Sequence, residues 1–178
     1  MPLQSNPASA ISCGVVVALA IAFFAGNAAA QNRATVGSAV SGGPFAELAG
    51  SWSGSGTIDF ANGKNERIRC RASYDVLDEQ NKLQLNIRCA SESYNFELRG
   101  SAAYAGGAIT GNWSEATRNA AGTLSGRVER GGFQVVANGP SFSADLNLVT
   151  RGDKQSVTIR SKDSKTEVRG ATINMQRG

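Results

Sequence analysis

The sequence predicts an all-β protein: an up-and-down meander of roughly eight to ten antiparallel strands that closes into a barrel. Three observations predict it. From Gly50 onward, apolar and polar residues alternate in run after run, with turn residues recurring about every ten positions. No stretch there carries a helical period. The third observation is that two runs, Ile68 to Val76 and Leu83 to Cys89, agree on one register. Setting Cys70 opposite Cys89 brings Ala72 to Ile87, Tyr74 to Leu85 and Val76 to Leu83. Every apolar residue then meets an apolar partner, whereas a one-residue slip would scatter them over both faces. Asp78-Glu-Gln-Asn81 is left as a polar turn.

The first thirty residues contain no acidic or basic side chain. Ile11 to Ala25 is an apolar run too short to span a membrane, and it ends in Asn27-Ala-Ala-Ala30. Residues 1–30 therefore read as a signal peptide with cleavage before Gln31. Cys13 sits near the start of this run, ahead of its unbroken apolar part, and would leave with it. The mature chain keeps Cys70 and Cys89, an even pair suited to a disulfide in an oxidising compartment, so a periplasmic or secreted location is expected. Residues 31–49 read as a flexible N-terminal arm, rich in Gly, Ser and Ala, with one short turn at Pro44 to Leu48. Residues 50–178 are the barrel domain.

The strands follow in order. Ser51 to Phe60 puts Trp52, Gly54, Gly56, Ile58 and Phe60 on one face, and Asn62-Gly63 suits a hairpin. After the cysteine hairpin, with Ala90 to Ser93 as a loop, Tyr94, Phe96 and Leu98 meet Cys89, Ile87 and Leu85. Ile109, Gly111 and Trp113 oppose Val128, Gly126 and Leu124. Val128 and Gly126 then oppose Val135 and Ala137. Ala137, Val135 and Phe133 oppose Phe142, Ala144 and Leu146; Leu148 and Leu146 meet Val157 and Ile159; Ile159 meets Val168. The last strand changes face near Gly170-Ala171, which predicts a bulge. Closing the meander removes two exposed edges.

Gly50-Ser-Trp52, opening the first strand after a short turn, resembles the Gly-x-Trp signature of the calycin barrels, the lipocalins and avidins. Gly107-Ala-Ile-Thr-Gly-Asn-Trp113 resembles the strand-end repeats of avidin-type barrels. The wider pattern, Trp-x-Gly-x-Gly with two Ile-Arg-Cys runs and Gly-x-Trp-x-Glu, is similar to a family of small exported bacterial proteins. Phe45 to Trp52 also resembles the start of periplasmic metalloprotease inhibitors, small barrels that plug a protease with a free N-terminal arm. The resemblance implies a calycin-like barrel with either an interior ligand or a protein partner.

Small inward residues, Gly54, Gly56, Gly111, Gly126, Ala137 and Ala144, leave volume that a solid barrel would have to fill. Beside them Tyr74, Tyr94, Phe96 and Trp113 are the candidate ligand-binding residues, for a small apolar or amphipathic molecule. On the outer face Arg71 stands opposite Arg88 with Arg69 nearby, a candidate anion patch for an envelope surface.

Other functions find less support. A net charge of +4 with interspersed signs lacks the clustered footprint of a nucleic-acid binder. Histidine is absent, which removes the commonest general base and metal ligand. No Gly-rich phosphate loop lies between a strand and a helix. The expectation is a protein that is not an enzyme, holds no metal or cofactor, and is not integral to a membrane.

Overall fold

The computed structural model describes residues 42–140 and 142–178. The expected signal peptide, residues 1–30 with Cys13, and residues 31–41 of the expected N-terminal arm lie outside the described residues. Ten strands form the domain: β1 (Gly50–Phe60), β2 (Asn65–Leu77), β3 (Lys82–Ala90), β4 (Asn95–Ala105), β5 (Ala108–Glu115), β6 (Ala120–Glu129), β7 (Gly132–Gly139), β8 (Phe142–Arg151), β9 (Lys154–Ser161) and β10 (Val168–Arg177). Each pairs antiparallel with its chain neighbour, and β1 pairs with β10 to close the barrel. Every strand edge is satisfied. Among the described residues no helix is long and apolar enough to cross a membrane.

The cysteine hairpin has the expected register, with Cys70 opposite Cys89, Ala72 opposite Ile87, Tyr74 opposite Leu85 and Val76 opposite Leu83. The two cysteines are disulfide-bonded, which is consistent with an extracellular or periplasmic protein. The β8–β9 pairing also matches, Leu146 to Ile159 and Leu148 to Val157. Elsewhere the ladders slide, by two residues in every case but the β9–β10 pair.

Phe96, not Tyr94, faces Cys89, because Ser91 N donates to Tyr94 O (2.7 Å) and takes Tyr94 into the connection. Trp113 faces Gly122 and Ile109 faces Gly126; Glu115 pairs directly with Ala120, helped by Asn119 at φ 51°. On the β6–β7 side, Val128 faces Phe133 and Gly126 faces Val135, since Gly131 alone takes the left-handed turn position and Gly132 enters the strand. Ala137 faces Ala144 because Gly139 pairs straight with Phe142. Ile159 meets Ala171, while Val168 crosses to pair with Phe60 on β1. In the other ladders between consecutive strands each slide is two residues, which preserves the face of every side chain; the β9–β10 slide is three, the odd residue being taken up where β10 changes face at Gly170-Ala171. The bulge lies where expected: the β1–β10 register shifts between Asp59 and Phe60, and Gly170 and Ala171 are both buried.

One end of the barrel is shut by its own N-terminal approach. A 3-10 turn, Ala46–Leu48, lays Phe45 and Leu48 into the core, and Phe45 packs on Phe133 with ring centroids 5.5 Å apart. The Trp52 indole donates to Leu48 O (2.7 Å), and the Arg177 guanidinium lies 4.5 Å over the indole while donating to the carbonyls of Ala49 and Glu47. These contacts satisfy carbonyls that a short turn leaves open. Gly43 N and Phe45 N donate to Glu79 O (3.0 Å) and Gln80 O (3.3 Å), fastening the same segment to the β2–β3 turn.

The inward glycines of β1 serve closure rather than volume. A methyl group on Gly54 or Gly56 would overlap the main-chain oxygen of Asn174 or Thr172 on β10. Gly56→Ala should therefore destabilise the barrel by about 1–3 kcal/mol. Urea denaturation checks it; an unchanged midpoint would show that β10 can withdraw freely.

Candidate functional site

The connections at residues 61–64, 91–94, 116–119 and 162–167, and the described part of the one between β7 and β8, residue 140, all lie at the end opposite the 3-10 turn. We term this end the mouth. The principal core cluster fills the closed end and continues along β1 to β3 and β10. Leu98, Leu124 and Leu146 point inward from β4, β6 and β8, are half-buried, and stand outside that cluster. Trp113 and Phe142 form a separate edge-on pair on the same wall, with ring centroids 6.0 Å apart. The indole rests on Gly122 and Gly139, where methyl groups would lie 2.8 Å from Nε1 and 2.9 Å from Cζ2. Its buried Nε1 has no partner among the described residues.

The other side of the mouth is aromatic. Tyr94 packs on Phe60 (6.0 Å) and on Phe96 (6.4 Å), next to the disulfide that Phe96 faces. Arg118 lies over the Tyr94 ring, its guanidinium carbon 4.0 Å from the centroid. Burial pushes the Tyr94 hydroxyl up, with the Arg118 charge pulling partly the other way.

Two carboxylates hold the mouth connections in place. Glu115, inward and buried, accepts from Glu97 N (3.0 Å), Thr117 N (3.0 Å), Thr117 Oγ1 (2.6 Å) and Arg118 N (2.8 Å). Burial pushes its carboxyl up, but these hydrogen bonds outweigh it and leave the group below the usual carboxylate value. Glu66 on β2 reaches the 91–94 connection, accepting from Ser91 Oγ (2.6 Å), Ser93 Oγ (2.6 Å) and Ser93 N (2.9 Å).

The Ser91 hydroxyl, then Ser93, hold the Glu66 carboxyl at about 2 instead of 4.5. A depressed folded value means that this tether is fully present above the unfolded pKa and is lost as pH falls through the folded one. The Ser93 amide resonance should accordingly titrate with a midpoint near 2. A midpoint at the ordinary 4.5 would show that the tether does not form in solution.

Of the four residues expected to line a ligand site, Tyr94 and Phe96 come together at the mouth and Trp113 lies on the β4–β8 wall. Tyr74 lies apart, toward the closed end. Its hydroxyl donates to Gln155 Oε1 (3.1 Å), and Gln155 Nε2 reaches Thr150 Oγ1 (3.4 Å). All three are buried, so this polar bridge fills the interior there. Burial pushes the Tyr74 hydroxyl up, the Gln155 bond acting against it.

Phe60, Glu66, Glu115 and Arg118 were not among the expected site residues. Glu115 had a signal: it shares an inward face with Trp113 two positions earlier, a carboxylate where the alternation calls for an apolar residue. On the outer face Arg71 does stand opposite Arg88. Arg88 pairs with Glu97 (2.9 Å), which also takes Arg99 (3.4 Å); Arg69 and Arg71 are exposed. The described residues hold no group of three or more Cys, Asp or Glu placed to bind a metal ion.

No protein-family profile and no curated protein sequence matches the chain. Solved structures do match. The crystal structure of Rv2717c from M. tuberculosis superposes with a TM-score of 0.60 at 11% identity, covering 75% of this chain and 94% of that one. The structure of the S-type phycobiliprotein lyase CPES from Guillardia theta superposes with a TM-score of 0.55 at 10% identity, covering 75% and 90%. The fold is a calycin-like, lipocalin-type barrel. At such low identities the likeness concerns the fold alone.

Proposed function

We propose that this chain is an exported, non-catalytic calycin-like barrel that holds a small apolar or amphipathic ligand in the mouth half of its interior. One observation carries the reading: inward-facing Leu98, Leu124 and Leu146 are only half-buried in a barrel whose wall is closed. Incomplete burial of inward apolar side chains behind a closed wall is what an accessible apolar lumen would produce, and such a lumen is what this ligand would fill. Phe60, Tyr94, Phe96, Trp113 and Phe142 supply the aromatic surface around it. The apolar leader and the disulfide support export, and the absence of histidine supports a binding role over acid–base chemistry.

The test is a fluorescence titration with the neutral probe N-phenyl-1-naphthylamine. Saturable binding is expected, together with its loss in Leu124→Trp, which fills the lumen. Non-saturable uptake, or binding indifferent to Leu124→Trp, would overturn the reading.

A second reading is an interaction module on the outer wall, favoured by Arg71 facing Arg88 with Arg69 exposed beside them. Opposed like charges cost stability, and an anionic surface would relieve them. Replacing Arg69, Arg71 and Arg88 with Ser should then weaken attachment to phosphatidylglycerol vesicles, most clearly at low salt. Attachment that ignores both the substitutions and ionic strength would remove this reading. Of an inhibitory N-terminal arm, Gln31 to Gly43, all but Gly42 and Gly43 lie outside the described residues.

A further inference from the structure

We propose that the mouth selects anionic amphiphiles, with Arg118 taking the carboxylate, or another acidic head, of a molecule whose apolar part occupies the lumen. The inference rests on the interior-binding reading and adds the chemistry of the head group. Arg118 belongs to the β5–β6 connection, at the rim, and its guanidinium is fixed from several directions. Tyr94 supports its face at 4.0 Å. Nη1 donates to Asn95 O (2.9 Å) and Thr117 Oγ1 (2.8 Å). The backbone beneath is tied by Arg118 N donating to Glu115 Oε2 (2.8 Å).

These contacts use Nη1 and leave Nη2 and Nε without a hydrogen-bond partner among the described residues. Those two nitrogens form the side of the guanidinium that binds a carboxylate with two parallel hydrogen bonds. A guanidinium already immobilised loses little further freedom on binding.

Two negative charges stand near this position: Glu167, whose charge is felt at the Tyr94 hydroxyl but which makes no ion pair with Arg118 among the described residues, and Glu115, the nearer competitor. It approaches Arg118 only at 3.8 Å from Nη1, because its oxygens are taken by Thr117 and by the amides of Glu97 and Arg118. Glu66 likewise gives its oxygens to Ser91 and Ser93. Arg118 is thus a cation beside an aromatic trio, bound enough to be placed and not enough to be neutralised by contact. Tyr94 and Phe60 offer apolar surface next to that charge, where the first carbons behind an acidic head would lie.

The experiment compares displacement of N-phenyl-1-naphthylamine by decanoate and by decanol at neutral pH, in the native protein and in Arg118→Gln and Arg118→Lys. The native protein should prefer decanoate by about tenfold or more, the effect of a charge-assisted hydrogen bond. Arg118→Gln should bring the ratio close to one with decanol still bound, and Arg118→Lys should keep part of the preference. Decanol binding in the variants also shows that they are folded.

Equal affinity for the two in the native protein would overturn the inference and leave the interior reading standing. A preference that survives Arg118→Gln would overturn it too, by placing the head group elsewhere. Probe binding that neither compound displaces would overturn the inference alone, whereas failure of the probe itself to bind saturably would sink the interior reading and the inference with it.

Discussion

Trp52→Ala is expected to lower the unfolding free energy by about 3–5 kcal/mol, the range for deleting a large buried aromatic side chain. Trp52 is 1% exposed and lies at the centre of the closed end, so little nearby is free to collapse into the space. The loss has three parts. Apolar burial goes, the Leu48 carbonyl loses its donor, and Arg177 loses the ring beneath it. Arg177 then holds the carbonyls of Ala49 and Glu47 without its support, which weakens the seat of Phe45 and Leu48. Trp52→Phe retains most of the burial but not the hydrogen bond, and should cost about 1–3 kcal/mol. Urea denaturation followed by far-UV circular dichroism measures both. A cost below about 1 kcal/mol for Trp52→Ala would mean that the closed end does not depend on this residue.

Reducing the Cys70–Cys89 disulfide should cost about 3 kcal/mol and leave the strand register unchanged. The bond joins residues 19 apart, and the chain-entropy account assigns a loop of that size about this much. Register should survive because Ala72, Tyr74 and Val76 still face Ile87, Leu85 and Leu83. For a domain of this size the cost corresponds to a fall in Tm of about 10 °C. Calorimetry with and without reductant, alongside the Cys70→Ala/Cys89→Ala variant, checks it. The mouth should feel the loss first, since Phe96 faces Cys89 directly.

Face was legible in the sequence and register only in places. Alternation identifies which side chains point inward, and it did so for Trp52, Ile58, Phe60, Tyr74, Ile109 and Trp113, all buried here. Register depends on how many residues a connection consumes, which local pattern specifies weakly. The cysteine hairpin escaped this because a second constraint, the disulfide, agreed with the pattern. At Ser91–Tyr94 and Ala116–Asn119 the connection length is decided by Glu66 and Glu115, carboxylates from flanking strands that collect turn amides and hydroxyls. Such tethers are tertiary and leave no periodic trace.

The inward glycines teach a related point. Their spacing correctly marked them as interior, yet Gly54 and Gly56 are small because β10 approaches them, not because a ligand does. Arg118 illustrates the limit most clearly. In sequence it is one basic residue in a polar connection; only the folded chain sets it over Tyr94. The β2–β3 turn is similar, with Asp78, Glu79 and Gln80 all at positive φ, a conformation that their side chains do not advertise.

Native mass spectrometry of the protein purified without detergent from its natural host tests the central claim most directly. The account predicts a bound species released intact on activation, small and amphipathic, whose amount falls in Leu124→Trp. Repeated recovery of protein at its bare mass, together with a lumen filled by its own side chains in a crystal structure, would contradict it.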